Sequence, residues 1–211
     1  MTAAAVVGFG VFAIAAGADW IAVGRGRRRL EKIAKPAALA ALIVAAVALD
    51  PAAGDRRAWF VVALVFSLAG DIALMLDSDR FVVGLGAFLV AHVAYVVGFW
   101  IDPPTTVALA VAVLVTALLM FPLARRILAG VAGSEPALRI PVAAYIGVIS
   151  LMVVSALASA NVVAAAGAVM FAASDAMIAW SRFVRPFRGS RVAIMATYHV
   201  AQVALVLSLL S

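Results

Sequence analysis

Residues 58–76 read AWFVVALVFSLAGDIALML, nineteen positions carrying a single charge, Asp71, close to the end of the run. A bilayer hydrocarbon core of about 30 Å takes about 20 apolar residues per helix, so this stretch reads as a membrane span with a carboxylate inside it. Runs of the same kind lie on both sides, at 2–23, 36–49, 81–100, 105–123, 140–158, 161–183 and 192–210, with 36–49 the shortest. Together they predict an all-α, polytopic membrane protein of eight transmembrane helices, a single transmembrane domain over 1–211. Composition agrees: 67% of the 211 residues are hydrophobic and 12% are charged, a balance that would leave a soluble domain coated in apolar surface.

The charges set the expected orientation. Fourteen of the sixteen Lys and Arg residues fall in the first, third, fifth and seventh connections, and only Arg56 and Arg57 lie elsewhere. With basic connections retained in the cytoplasm, both termini lie on the other side, N-out and C-out. A net charge of +6 distributed this way orients helices, so no nucleic-acid partner is expected. The first run is followed, not preceded, by basic residues (Arg25, Arg27, Arg28, Arg29, Lys32 and Lys35), the reverse of a secretory signal, and is expected to stay as a helix. No cysteine is present, which excludes disulfides, thiolate metal sites and thiol nucleophiles. An Ala-rich chain with short connections points to a bacterial inner (cell) membrane.

A spacing recurs along the chain. Lys35-Pro36 opens the second helix and Arg139-Ile140-Pro141 the sixth; Asp71 follows Pro36 by 35 residues, and Asp175 follows Pro141 by 34. His92 and Tyr95 on the fourth helix are loosely matched by Tyr198, His199 and Gln202 on the eighth. This reads as two like-oriented four-helix halves, 1–104 and 105–211.

Ionisable residues inside a membrane cost several kcal/mol and mark function by default, at about 2.5–3.5 kcal/mol on insertion scales. Asp71 lies about five residues from the cytoplasmic end of its helix and Asp175 seven or eight, so at about 1.5 Å per residue both sit roughly 7–12 Å deep. His92, His199, Gln202 and Tyr145 fall in the same half of the membrane. His92 and Tyr95 are three residues apart, as are His199 and Gln202, so each pair shares a helix face. Asp19, near the end of the first helix, and Lys35 are expected to close the mouth of a shared cavity. Asp77 and Asp79 with Arg80 read as a solvated turn. Polar groups also serve as glue between membrane helices, but six at matched depth on five helices favour a site. No phosphate-binding Gly loop, nucleophile elbow or His-Glu-x-x-His motif occurs.

Lys35-Pro36, Gly70-Asp71 followed by Phe81, His92-x-x-Tyr95, Phe171 with Ser174-Asp175, and Tyr198-x-x-x-Gln202 together resemble the YhhN family of integral membrane proteins. The resemblance runs from the second helix to the last. His199, beside Tyr198, has no clear place in that pattern. The family includes the lysoplasmalogenases of animal membranes. The resemblance implies hydrolysis of a lysoplasmalogen vinyl ether to a fatty aldehyde and glycerophospho-ethanolamine or -choline, with no cofactor and no metal.

The residues suit that chemistry. A vinyl ether hydrolyses by protonation of its β-carbon to an oxocarbenium ion, which water captures as a hemiacetal. Low dielectric favours the neutral form of one carboxyl group, while a second, ionised one stabilises the cation, as paired carboxylates do in glycosidases. Asp71 and Asp175 are the expected catalytic pair, with His92 orienting one of them or the water. Tyr95, Tyr145, Tyr198, His199 and Gln202 are expected to contact the substrate, and Lys35 to meet the phosphate of the lysophospholipid at the membrane surface. Two other readings stay open: a transporter of a small amphiphile or ion relaying protons through paired acids, and a metal-dependent hydrolase of lipid amides or esters.

Overall fold

A computed structural model describes residues 1–50, 54–76 and 80–210. Asp77 and Asp79, expected in a solvated turn, lie outside the described residues. Within them the chain forms eight α-helices and no strand: α1 Ala3–Gly24, α2 Arg28–Ala48, α3 Gly54–Met75, α4 Phe81–Phe99, α5 Thr106–Ser134, α6 Arg139–Ala158, α7 Val162–Phe183 and α8 Ser190–Leu207. Single 3-10 turns, Pro136–Leu138 and Ser208–Leu210, precede α6 and follow α8. Side-chain oxygens of Thr2, Thr105 and Asn161 accept from backbone N–H groups in the first turns of α1, α5 and α7, satisfying donors that a membrane leaves without water.

Seven of the eight helices are long and apolar enough to cross a membrane, and each exposes large apolar side chains outward: the chain is a multi-pass membrane protein. The exception is α2. It starts at Arg28, eight residues before the expected run, so Arg28, Arg29, Glu31, Lys32 and Lys35 ride on its first turns. Pro36 therefore lies inside the helix instead of opening it, and the buried stripe Ala34, Lys35, Ala38, Leu39, Leu42, Ala45 and Ala46 explains why the helix forms. Likewise α5 continues eleven residues past the expected end at 123, through Pro122 and Arg125-Arg126. Leu123, Ile127 and Val131 recur at helical spacing, and Ile127 and Val131 pack in a small core with Val142 and Phe183.

Successive helices pair as hairpins, α1 with α2, α3 with α4, α5 with α6 and α7 with α8, and α2–α3, α4–α6, α6–α7 and α1–α8 contacts join the pairs. Charge pairs mark one end of the bundle: Arg191 meets Glu31 at 2.8 Å and Arg182 meets Glu135 at 2.9 Å. Arg56 and Arg57, the two basic residues outside the charge pattern, have structural partners at the other end. Arg56 pairs with Asp102 at 2.7 Å, and Arg57 donates to the carbonyls of Val47 and Leu49 that end α2.

Close approach of α1 to α2 depends on Gly8, where an added Cβ would stand 2.9 Å from both the backbone nitrogen and the Cβ of Ala45. Backbone cannot yield as a flexible side chain does. Gly8→Ala is expected to destabilise the bundle by about 1–3 kcal/mol, the usual cost of overpacking, measured as a lower unfolding temperature in detergent. Gly17→Ala, with nothing within 4 Å of its added Cβ, is the matched control.

Candidate active site

The helices bring the intramembrane polar residues into two clusters, each built on one aspartate. Asp71 on α3 is 1% exposed. Its Oδ1 lies 2.8 Å from Lys35 Nζ on α2, and its Oδ2 accepts from the Tyr198 hydroxyl on α8 at 2.7 Å. Lys35 is itself buried, its stem having entered the bundle because α2 begins two turns earlier than its apolar run. Its ammonium is taken up by Asp71, and a removed partner would leave a charge in low dielectric.

Asp175 on α7 is the second centre. Its Oδ2 accepts a short hydrogen bond from the Tyr145 hydroxyl on α6 and stands 3.7 Å from His92 Nε2 on α4. His92 Nδ1 lies 2.5 Å from the carbonyl oxygen of Phe88, so Nδ1 carries the proton and donates. Nε2 is left as an acceptor, buried and with no other partner among the described residues. At 3.7 Å the imidazole stands beside the Asp175 carboxyl group without a direct hydrogen bond to it.

The two clusters are related crosswise. Asp71 is met by α2 from its own half of the chain and α8 from the other; Asp175 is met by α6 from its own half and α4 from the other. Phe171 and Phe88 stand between them. The Phe171 ring packs edge-on at 4.7 Å from His92 and 5.4 Å from Tyr198, and Phe88 lies 6.0 Å from Tyr198.

The Asp175 cluster opens to a cavity. A cleft of about 680 Å³ runs between α4, α5, α6 and α7, and Asp175 and Tyr145 are the polar residues among its apolar lining, which includes Phe81, Phe88, Met120, Ile127, Ile149 and Phe183. Asp71 and Lys35 do not line it. Asp19 and Lys35, expected at a cavity mouth, are 0% and 5% exposed.

Of the other expected residues, Tyr95 donates to Gln202 Oε1 at 2.6 Å, one turn from the Asp71 cluster, which joins α4 to α8. His199 turns away toward α1, where its Nδ1 accepts from Trp20 Nε1 at 3.0 Å and its ring meets Phe12 edge-on at 5.9 Å. Asp19 is buried nearby, and neither carboxylate oxygen has a hydrogen-bond partner among the described residues. Among those residues no three His, Asp or Glu side chains gather as a metal site would need. Sequence reasoning named Phe171 only as part of the family pattern and did not name Phe88 or the partition they form. Its signal was present: Phe171 precedes Asp175, and Phe88 precedes His92, by four residues, one turn on the same face.

Comparison with known proteins places these positions in a wider set. The sequence profile of the YhhN family matches residues 30–209. Human lysoplasmalogenase TMEM86B is 34% identical over 148 residues, covering 70% of this chain and 62% of its own length. Lysoplasmalogenase of Mycobacterium bovis is 33% identical over 186 residues, covering 79% of this chain and 66% of its own. Human lysoplasmalogenase TMEM86A is 34% identical over 160 residues, covering 70% and 63%. The chain thus spans just under two thirds of the length of these relatives. No solved structure matches it.

Proposed function

The chain belongs to the YhhN family, and on that premise we propose that it is a membrane-embedded hydrolase that cleaves the vinyl ether bond of lysoplasmalogens. The observation that carries the reading is the Asp175–Tyr145 pair, a carboxyl group and its hydroxyl donor opening into an otherwise apolar cleft. A single-chain ether lipid presents an apolar chain, a vinyl ether and a head group in that order, which suits one acid set part-way along a hydrocarbon passage.

Asp175 is the acid. Its carboxyl proton goes to the β-carbon of the double bond, the π electrons forming the new C–H bond while the ether oxygen shares the positive charge left on the α-carbon. Water attacks that carbon and its proton returns to the Asp175 carboxylate, so the group serves as acid and then as base. The hemiacetal collapses with transfer of its hydroxyl proton to the glycerol oxygen, releasing aldehyde and glycerophosphoalcohol. Tyr145 fixes the carboxyl group, and His92 stands beside it. Asp71 is the ionised partner: held by Lys35 and Tyr198, it keeps a fixed negative charge behind Phe171, within reach of the cation. Tyr95 and Gln202 brace the α4–α8 contact beside it.

The same reading assigns all eight helices to the membrane, with both termini outside and the basic connections in the cytoplasm of a bacterial cell. The crosswise partners of Asp71 and Asp175 support two like-oriented four-helix halves, 1–104 and 105–211. The lysolipid head group then lies at the basic end, where Arg182 stacks 4.1 Å from the centre of the Phe81 ring beside the cleft.

Purified protein in detergent is expected to release fatty aldehyde from lysoplasmenyl-ethanolamine and -choline, and none from the saturated alkyl-ether lysolipid, which has no double bond to protonate. Release of aldehyde with chelator present is expected to match release without it. Absence of aldehyde from a folded preparation would overturn the assigned substrate.

A further inference from the structure

The cleft at Asp175 does not stand alone. A second groove of about 470 Å³ lies between α5, α6 and α7 and shares Met120, Leu123 and Ala172 with the first. Its far side is formed by Leu119 and Val169, 56% and 38% exposed on the outer surface of the bundle. Met120, Leu123 and Ala172 are the wall the two cavities share, so a shift of these side chains joins them into one apolar passage between α5 and α7 that starts in the basic half, passes Asp175 and opens sideways where the bilayer lies. Ala172 stands at the junction, three residues before Asp175 on the same face of α7 and about 4.5 Å along the axis.

Building on the vinyl ether reading, we propose that the alkenyl tail of the substrate threads this passage, passing over Ala172 with its end projecting into the bilayer, and that Ala172 determines acceptance of long tails. Lipid tails are as apolar as the protein interior, so no hydrophobic force draws the chain in. The passage acts by registration: a chain confined beside Ala172 holds its double bond at the Asp175 carboxyl group, the kind of positioning that makes a bound reaction fast. A side chain larger than a methyl at 172 fills the junction. The helix across the passage is suited to admit the chain. α5 carries Pro122 at the height of the junction, between Met120 and Leu123, where the missing amide hydrogen leaves the Leu118 carbonyl without its helical partner and allows α5 to bend outward. Because the groove is open at its far end, the passage sets no upper limit on tail length.

The test compares Ala172→Phe with the wild type in nanodiscs on two vinyl ether lysolipids, one with a hexadecenyl tail and one with a propenyl tail too short to reach position 172. The ratio of kcat/KM for the long tail to that for the short one is expected to fall at least about 100-fold, the scale of a misplaced reacting group. An unchanged ratio overturns the proposal. A second measurement needs neither the variant nor turnover: a saturated hexadecyl-ether lysolipid with a diazirine in its tail is photolysed on the wild-type protein and the labelled residues are mapped by mass spectrometry. Adducts on Met120, Leu123 and Val169 support the passage, and adducts confined to α1, α2 or α8 overturn it. Labelling of the passage by a protein that releases no aldehyde would overturn the hydrolase reading and leave the tail site standing.

Discussion

Asp175→Asn is expected to reduce aldehyde release by roughly 10²–10⁴-fold while leaving the fold intact, the span that general acid–base catalysis commonly contributes. Asparagine has nearly the shape of aspartate, and its amide oxygen accepts the Tyr145 hydroxyl in place of Oδ2. What it lacks is a transferable proton at the one place where a carboxyl group opens into the cleft. The loss should appear in kcat with KM little changed, because Asp175 acts on the reacting carbon and the hydrocarbon lining holds the chain. Steady-state aldehyde release with an unfolding scan of the same preparation checks both halves. A variant that retains wild-type kcat would remove Asp175 from the chemistry.

Lys35→Met is expected to be the most destabilising single change in the bundle, by about 3–5 kcal/mol, since it leaves the Asp71 carboxylate buried without its cation. Asp71→Asn alone strands the Lys35 ammonium and is expected to destabilise as well. The double variant Lys35→Met with Asp71→Asn should recover much of the loss, because it removes both charges together and keeps the acceptor for Tyr198. Unfolding in mixed micelles, run as a double-mutant cycle, measures the coupling. Additive losses would show that the pair is not a unit. For catalysis the double variant is the informative one: it should retain more activity than Asp175→Asn, because in the proposed mechanism Asp71 acts on the cation across the Phe171 partition and transfers no proton.

Seven of the eight helices were legible because lipid imposes a simple rule, about 20 apolar residues per crossing, and because connections between spans are short. The rule failed at helix ends. The first turns of α2 look like a basic loop from Arg28 to Lys35, yet Ala34, Lys35, Ala38, Leu39 and Leu42 continue one buried stripe through them. The end of α5 was hidden behind Pro122 and Arg125-Arg126, although Leu123, Ile127 and Val131 keep the helical period. Misplacing the start of α2 also set Lys35 at the membrane surface as a phosphate ligand, whereas its ammonium lies on Asp71.

In the candidate site, Asp71 and Asp175 stood out because a charge within an apolar run is costly and conspicuous. Their partners did not follow from spacing. Tyr145 reaches Asp175 across 30 residues and Tyr198 reaches Asp71 across 127, and periodicity tells which face a residue occupies but not which helix lies opposite. The division of labour between the carboxylates rests on such long-range facts. A lysine lies against one, and a cavity opens at the other. The role of His199 was equally hidden, because its partner Trp20 lies 179 residues away on α1, before the residues that the family profile matches.

The central claim, protonation of the vinyl ether β-carbon at Asp175, is tested most directly by running the reaction in D₂O and trapping the aldehyde at once as its alcohol. The account predicts that each product molecule carries one deuterium on the carbon next to the former carbonyl, in a single configuration, because the solvent-exchanged carboxyl group delivers it from one face. Asp175→Asn should form almost none of this product. Deuterium in both configurations equally would contradict the account, since it would mean that the ether bond breaks first and the freed enol is protonated by solvent.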